Sequence, residues 1–193
     1  MIPARQQAIQ IARSKLALDP LYLDTETTGL ERSSEIIEIC ILDNQGAALF
    51  QSLVKPLRRI PNDAIRIHGI TNEDVQRAPN WLVVWPQVEN LLAGRTVGIY
   101  NAEFDLRMIQ QTHTFYNIRF TSITPFSPFC IMKLYAQYHG DWNRARGSYR
   151  WHSLEDAGRY CRIPLPNSHR AFDDTLLARA ILHHMANPLE ANR

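Results

Sequence analysis

The stretch Leu21-Tyr22-Leu23-Asp24-Thr25-Glu26-Thr27-Thr28-Gly29-Leu30 ends an apolar run in two carboxylates separated by a single residue. Along an extended chain side chains alternate between faces, so Asp24 and Glu26 share a face while Thr25 points away from it. Two carboxylates on one face are hard oxygen ligands. They select Mg2+, Mn2+ or Ca2+ over softer metals and leave coordination positions for water and a phosphate oxygen. Taken alone, the same pattern also describes a solvent-facing strand end. Two later segments answer it. Arg95-Thr96-Val97-Gly98-Ile99-Tyr100 reads as a short β run, and Asn101-Ala102-Glu103-Phe104-Asp105-Leu106 follows as a loop opening a helix. His169-Arg170-Ala171-Phe172-Asp173-Asp174 leads into an apolar helix through Leu176, Leu177, Ala180, Ile181 and Met185. Acids and a histidine thus gather at strand ends and helix starts, where an α/β sheet places its chemistry.

The elements that must position these groups are legible in outline. Strands are predicted from Leu21 to Thr25, Ile36 to Leu42, Ala47 to Val54 and Thr96 to Tyr100, with helices dominating the remainder. Asp43-Asn44-Gln45-Gly46 has the composition of a hairpin turn, so the second and third strands should run antiparallel. Thr71 with Asp74 and Ser153 with Asp156 have capping-box spacing, an aspartate standing in for the usual glutamate. Before the first strand, Ile9, Ala12 and Leu16 fall at helical spacing opposite Arg5, Gln6, Gln10 and Arg13, and Asp19-Pro20 should end that helix. It is read as an extension over residues 1–20, either packed on its own domain or serving a dimer or partner contact, ahead of one α/β domain over 21–193. A chain of 193 residues with 45% hydrophobic content can bury one core. Its net charge of +2 leaves any electrostatic footprint local. No run reaches the roughly 18 apolar residues of a membrane span, and the start lacks a signal-peptide core, so a soluble cytoplasmic protein with no membrane partner is expected. Cys40, Cys130 and Cys161 are odd in number and lie in apolar runs, as reduced core thiols do.

Four ordered pieces carry a family resemblance: Asp24-Thr-Glu26-Thr-Thr-Gly29-Leu30, Ile67-His68-Gly69-Ile70-Thr71, Asn101-Ala-Glu-Phe104-Asp105, and His169 with Asp174 five positions on. From about Leu21 to Met185 the chain resembles the DnaQ-like 3′→5′ exonucleases of the DEDDh type, relatives of polymerase proofreading subunits, RNase T and oligoribonuclease. The resemblance implies a ribonuclease H-like fold, a mixed five-stranded sheet flanked by helices. It implies two ions, Mg2+ or Mn2+, with Asp24 bridging both, Glu26 and Asp174 completing one site, and Asp105 helping to hold the other. It makes His169 the general base. Thr27, Gly29, Leu30, His68, Asn101 and Phe104 become contacts to the terminal nucleotide, and Asp174 rather than Asp173 becomes the ligand, a choice helical periodicity alone leaves open. The family usually has a histidine immediately before the asparagine; this chain has Tyr100.

The chemistry suits those residue types. Water attacking an already anionic phosphodiester needs charge neutralisation and activation, and two ions roughly 3.5–4 Å apart supply both. Histidine, with an ordinary pKa of about 6.5, accepts a proton near neutral pH, so activity is expected to rise through a histidine titration. The partner implied is nucleic acid with a free 3′ end, single-stranded DNA being favoured and RNA the alternative, since no feature identifies a 2′-hydroxyl reader. A homodimer stays open. The short stretch after the final helix leads to the expectation of a stand-alone enzyme without a stable polymerase partner. The segment from Gly140 to His152 interleaves Arg144, Arg146 and Arg150 with Trp142, Tyr149 and Trp151, which suits either single-stranded nucleic acid or a structured surface loop. More remote alternatives are a haloacid dehalogenase-like phosphatase, which would leave His169 idle, and a binding module without catalysis. Four mutually repelling carboxylates kept together without a cation speak against the latter.

Overall fold

Alternation along the strands decides how the chain is layered. A computed structural model describes residues 2–118 and 126–188. In chain order its elements are α1 (Ala4–Leu16), β1 (Leu21–Thr27), β2 (Ile36–Leu42), β3 (Ala48–Leu53), α2 (Asn62–His68), α3 (Trp81–Leu92), β4 (Thr96–Ile99) and α4 (Ala102–Phe115). They continue with β5 (Ser127–Cys130), α5 (Ile131–His139), β6 (Trp142–Asn143), β7 (Ser148–Tyr149), α6 (Leu154–Tyr160) and α7 (Ala171–Ala186). Five strands form one mixed sheet in the order β3, β2, β1, β4, β5. The pairs β3–β2 and β2–β1 are antiparallel, whereas β1–β4 and β4–β5 are parallel. Tyr22, Cys40 and Leu42 pack into one cluster with Ile131, Tyr135, Ile181 and Met185. Leu21, Leu23, Ile39 and Ile41 turn the other way, towards Trp81, Val88, Met108 and Ile109. Every residue of β2 is buried because helices cover both faces of the sheet.

The hairpin between β2 and β3 forms as its composition implied, with Asp43 Oδ1 accepting from the amides of Gln45 at 2.9 Å and Ala47 at 2.8 Å. Three features differ from the expectations. β1 runs on to Thr27, and its pairing with β2 shifts between Glu26 and Thr27. β5 was not foreseen: it is a short parallel edge strand containing Pro128, a residue that an edge tolerates and that hides a strand from pattern reading. Thr71 and Asp74 exchange capping bonds at 2.8 and 3.2 Å, yet only turns follow them, because a local cap does not supply the apolar face that holds a helix in place. Ser153, by contrast, does cap α6, accepting from the Asp156 amide at 3.1 Å.

α1 lies on its own chain. Ala8 and Ala12 are fully buried against α5 and α7, Arg13 Nε donates to the Ala186 carbonyl at 2.8 Å, and Arg5 Nη2 donates to the Tyr138 hydroxyl at 2.8 Å. Cys40 and Cys161 are buried and Cys130 half-buried, all as free thiols. Among the described residues no helix is long and apolar enough to cross a membrane. The stretch after Pro188 lies outside the described residues.

Candidate active site

β1 and α7 build the centre of the site. Asp24 and Glu26 lie on the face of β1 that α7 covers, and Asp174, in the first turn of α7, is buried beside them. One carboxylate oxygen from each of the three comes within 4.8 Å of the others. Asp105 approaches from α4, which packs on the opposite face of the sheet. The hydroxyl of Thr25 donates to Asp105 Oδ1 at 2.7 Å. The threonine that alternation turns away from Asp24 and Glu26 therefore anchors the fourth acid. Asp173 is half-buried and takes a hydrogen bond from Ser168 Oγ at 2.5 Å, so it braces the loop before α7 and is not the free surface charge that a helix start would imply.

Burial and crowding act together on these acids. Burial holds the Asp24 carboxyl well above the usual carboxylate range, and the charges of Asp105, Glu26 and Asp174 push it further. Burial, followed by Asp174 and Glu38, raises Glu26 to about 8. Asp105 is raised by burial to about 7 despite its bond from Thr25, and burial raises Asp174 to about 6 against the contrary pull of Asn167 and His169. Asp174 Oδ1 is buried with no hydrogen-bond partner among the described residues. A dense set of hard oxygen donors, one of them orphaned, fits a divalent cation: binding would supply the missing partner and relieve the repulsion.

Two residues around this centre sit in the left-handed region, at φ 119° for Asn101 and φ 53° for His169. Such conformations cost on the order of 1 kcal/mol for a non-glycine residue, and they cluster where geometry is imposed for function. Asn101 starts α4 without a side-chain cap, leaving its amide beside the acids. His169 is exposed and lines both of two joined hollows. The smaller, about 220 Å³, contains Asp24, Asp105 and Asp174 and is walled by Tyr100, Asn101, Ser153 and Leu154. The larger, about 650 Å³, is walled by residues 27–31 with Arg58, Arg59, Ile67 and His68. Thr25, Glu26, Phe104 and His169 belong to both.

The expected nucleotide contacts divide. Leu30 is 71% exposed and Ile67 60% exposed on the wall of the larger hollow, so two apolar side chains face a space where a base or sugar could cover them. Gly29 sits at φ 151°, and a Cβ there would come within 3.2 Å of Ser34 Oγ. The Thr27 hydroxyl donates to the Gly29 carbonyl at 2.7 Å, which leaves its oxygen able to accept. His68 is buried, its Nδ1 accepts from the Ile70 amide at 3.0 Å, and its Nε2 has no hydrogen-bond partner among the described residues. Phe104 is half-buried with Arg107 5.4 Å from its ring centre, so it packs on the core and also faces the cleft.

Sequence reasoning missed Glu38 and Arg170. Glu38 stands opposite Glu26 in the β1–β2 register, almost wholly buried. It accepts from Arg170 Nη2 at 2.7 Å, Arg170 Nε at 3.1 Å and the Ala171 amide at 3.0 Å, fixing the backbone on the C-terminal side of His169. The signal was one acid inside the apolar run Ile36-Ile37-Glu38-Ile39, since a charge in a fully buried strand needs a partner. Tyr100, where the family usually has histidine, donates its hydroxyl to the carbonyls of His152 at 3.1 Å and Ser153 at 3.0 Å. It ties the end of β4 to the start of α6.

Comparison with known proteins agrees with this geometry. The exonuclease family model of RNase T type matches residues 21–182. An uncharacterised exonuclease, CP81 of Escherichia phage 186, is 38% identical over 181 residues, covering 92% of this chain and 93% of that one. DNA polymerase III subunit epsilon of Rickettsia typhi is 32% identical over 99 residues, 48% of this chain and 43% of its own length. Among solved structures, exonuclease X in complex with 5′-overhanging duplex DNA aligns with a TM-score of 0.63 at 26% identity, over 86% of this chain and 90% of that chain. The nuclease domain of a 3′ exonuclease described as a DEDDh family member and bound to rAMP shares the fold, with a TM-score of 0.68 at 18% identity over 87% and 92% of the two chains. With a matching family model across the whole sheet and a near full-length relative, the chain belongs to the DnaQ-like, DEDDh-type exonucleases, a metal-dependent family with the ribonuclease H-like fold.

Proposed function

We propose that the protein removes nucleotides stepwise from the 3′ end of nucleic acid, with single-stranded DNA favoured, as a stand-alone cytoplasmic enzyme. The observation that carries this reading is the approach of Asp24, Glu26 and Asp174 within 4.8 Å at the hollow that His169 overhangs. Asp24, Glu26 and Asp174, with Asp105 beside them, would hold the divalent ions. Such ions, Mg2+ or Mn2+, neutralise phosphodiester charge and lower the pKa of water. His169 accepts the proton of the attacking water as general base. Thr25 keeps Asp105 in register, and the Glu38–Arg170 pair holds the loop from which His169 projects. The larger hollow takes the terminal nucleoside: Leu30 and Ile67 cover its apolar surface, Phe104 meets the base, and His68 and Asn101 offer polar contacts. Membership of an exonuclease family leaves no place for the phosphatase and non-catalytic alternatives.

DNA is favoured by the names of two relatives, DNA polymerase III subunit epsilon and the complex of exonuclease X with 5′-overhanging duplex DNA, while the RNase T-type family model and the rAMP complex keep RNA as the second reading. The deciding experiment incubates wild-type and Asp24→Ala protein with 5′-labelled single-stranded DNA, matched RNA and a recessed duplex, in Mg2+, Mn2+ or EDTA. A metal-dependent ladder shortening from the 3′ end, absent in the variant, is the expected result, fastest on single-stranded DNA. Faster loss of RNA would assign an exoribonuclease, and no ladder with either ion would overturn the proposal.

A further inference from the structure

The segment joining α5 to α6 lies outside the layers of the main sheet. Gly140, at φ 88°, ends α5, and β6 and β7 then pair Trp142 with Tyr149 and Asn143 with Ser148 in a two-stranded hairpin. The Trp142 and Tyr149 rings meet edge-on with centroids 4.9 Å apart, giving the hairpin a small aromatic centre of its own. Much aromatic surface is nevertheless left in solvent, with Trp142 50% and Trp151 57% exposed. Arg144, Arg146 and Arg150 are all exposed, and among the described residues only Arg150 has a carboxylate partner, Asp141 at 3.1 Å. Arg146, Tyr149, Arg150 and Trp151 border a hollow of about 330 Å³. In a chain of net charge +2, three arginines against one aspartate in this short segment is a local concentration of positive charge.

Its position gives that surface a direction. Trp151 immediately precedes His152 and Ser153, whose carbonyls accept from Tyr100, and Ser153 and Leu154 wall the hollow that holds the acids. On its other side the Trp151 ring lies 5.8 Å from Lys133 Nζ, and Lys133 pairs with Glu103, the residue before Phe104. Trp151 therefore stands beyond the wall that the larger hollow does not share. With a terminal nucleoside in the larger hollow and the scissile phosphate at the acids, the side of the smaller hollow away from the nucleoside is bordered by Asn101, Ser153 and Leu154.

We infer that Trp151 and the β6–β7 hairpin form a platform for the single-stranded segment on the 5′ side of the scissile bond, its bases stacking on the exposed ring and its phosphates meeting Arg144 and Arg146. Stacking on an aromatic ring is tolerant of base identity, and free guanidinium groups add salt-sensitive phosphate contacts. The inference rests on the exonuclease reading and deepens it by naming where the upstream strand runs.

Two measurements keep the two apart. Fluorescence anisotropy in EDTA follows binding of a 5′-labelled oligothymidylate dodecamer without turnover. Trp151→Ala is expected to raise its Kd about tenfold, while Trp151→Phe, which keeps a ring, recovers most of the affinity. Replacing Arg144 and Arg146 together by alanine is expected to flatten the slope of log affinity against log salt by about 1.4, the value for two single-strand phosphate contacts. With Mn2+ present, the ratio of kcat/KM for the dodecamer to that for the p-nitrophenyl ester of thymidine 5′-monophosphate, which reaches only the acids and the larger hollow, should fall about tenfold in Trp151→Ala. Unchanged affinity and salt slope, or a ratio that does not move, would return the hairpin to scaffold. Wild-type protein inert towards both ester and oligomer would count against the exonuclease reading instead.

Discussion

Around β1 and β2 this chain encloses carboxylates in two opposite ways. Glu35 accepts from the amides of Leu57 at 2.8 Å and Arg58 at 3.1 Å, and Glu38 from Arg170 and the Ala171 amide, so the fold itself answers both charges. Beside them Asp24, Glu26 and Asp174 crowd together, while Arg170, whose charge opposes the rise at Glu26, is committed to Glu38. Their pKa values rise because burial penalises charge and the neighbours share its sign. A buried acid supplied with donors holds the fold together. An acid at least half-buried among like charges stays costly until something outside the chain offsets them, which is how a metal site differs from a structural ion pair.

Breaking the unanswered set should cost activity far more than stability. Asp24→Asn is expected to lower kcat/KM on the order of 10³-fold or more, because several kcal/mol of charge stabilisation disappears with ion binding. A smaller loss in single-turnover kinetics would deny Asp24 its central place. His169→Asn should lower the single-turnover rate about 10²-fold, the lower end of general-base contributions, with the Mn2+ affinity measured by calorimetry unchanged. A parallel loss of ion binding would show that His169 acts through the site's geometry.

The answered set should behave in reverse. Arg170→Ala leaves Glu38 buried with only the Ala171 amide. Since the Arg170 side chain is 44% exposed, the cost should be about 2 kcal/mol, below the roughly 3–5 kcal/mol of a fully buried pair. That corresponds to a fall in Tm of about 4–8 °C in calorimetry, and an unchanged Tm would remove the contrast between the two sets.

The gentlest probe is pH without metal. Glu26 and Asp105 hold protons in the folded protein up to about 8 and about 7, whereas the unfolded chain releases them near a pH of about 4. The folded state therefore binds more protons over that interval. Their contribution to stability in EDTA is fully present at the acid end, falls as pH rises, and levels off above about 8. Thermal unfolding at pH 6 and pH 9 should give the higher Tm at pH 6. Saturating Mg2+ should reduce the difference, since the bound ion favours the ionised carboxylates. A Tm that rises with pH in EDTA would mean that the acids are already compensated inside the fold.

Much of this was readable before any coordinates. The bounds of β2 and the hairpin into β3 follow from an apolar run broken only by Glu38 and from a four-residue turn, signals that are local and strong. β5 was not readable, being four residues long with a proline and stabilised only by its neighbour β4. At the site, the shared face of Asp24 and Glu26 follows from strand periodicity. Helical periodicity could not choose between Asp173 and Asp174, because the two adjacent positions meet similar apolar neighbours further along the helix. Burial chose, placing Asp174 among the acids and giving Asp173 to Ser168.

The sequence by itself determined the residue types, their order and the local geometry that makes two acids point the same way, since these depend on spacing along one short segment. Only the tertiary structure decided what each acid meets. The bond from Thr25 to Asp105 spans 80 residues and that from Arg170 to Glu38 spans 132. Whether a buried charge is compensated depends on donors brought from such distances, and no periodicity within a segment records them.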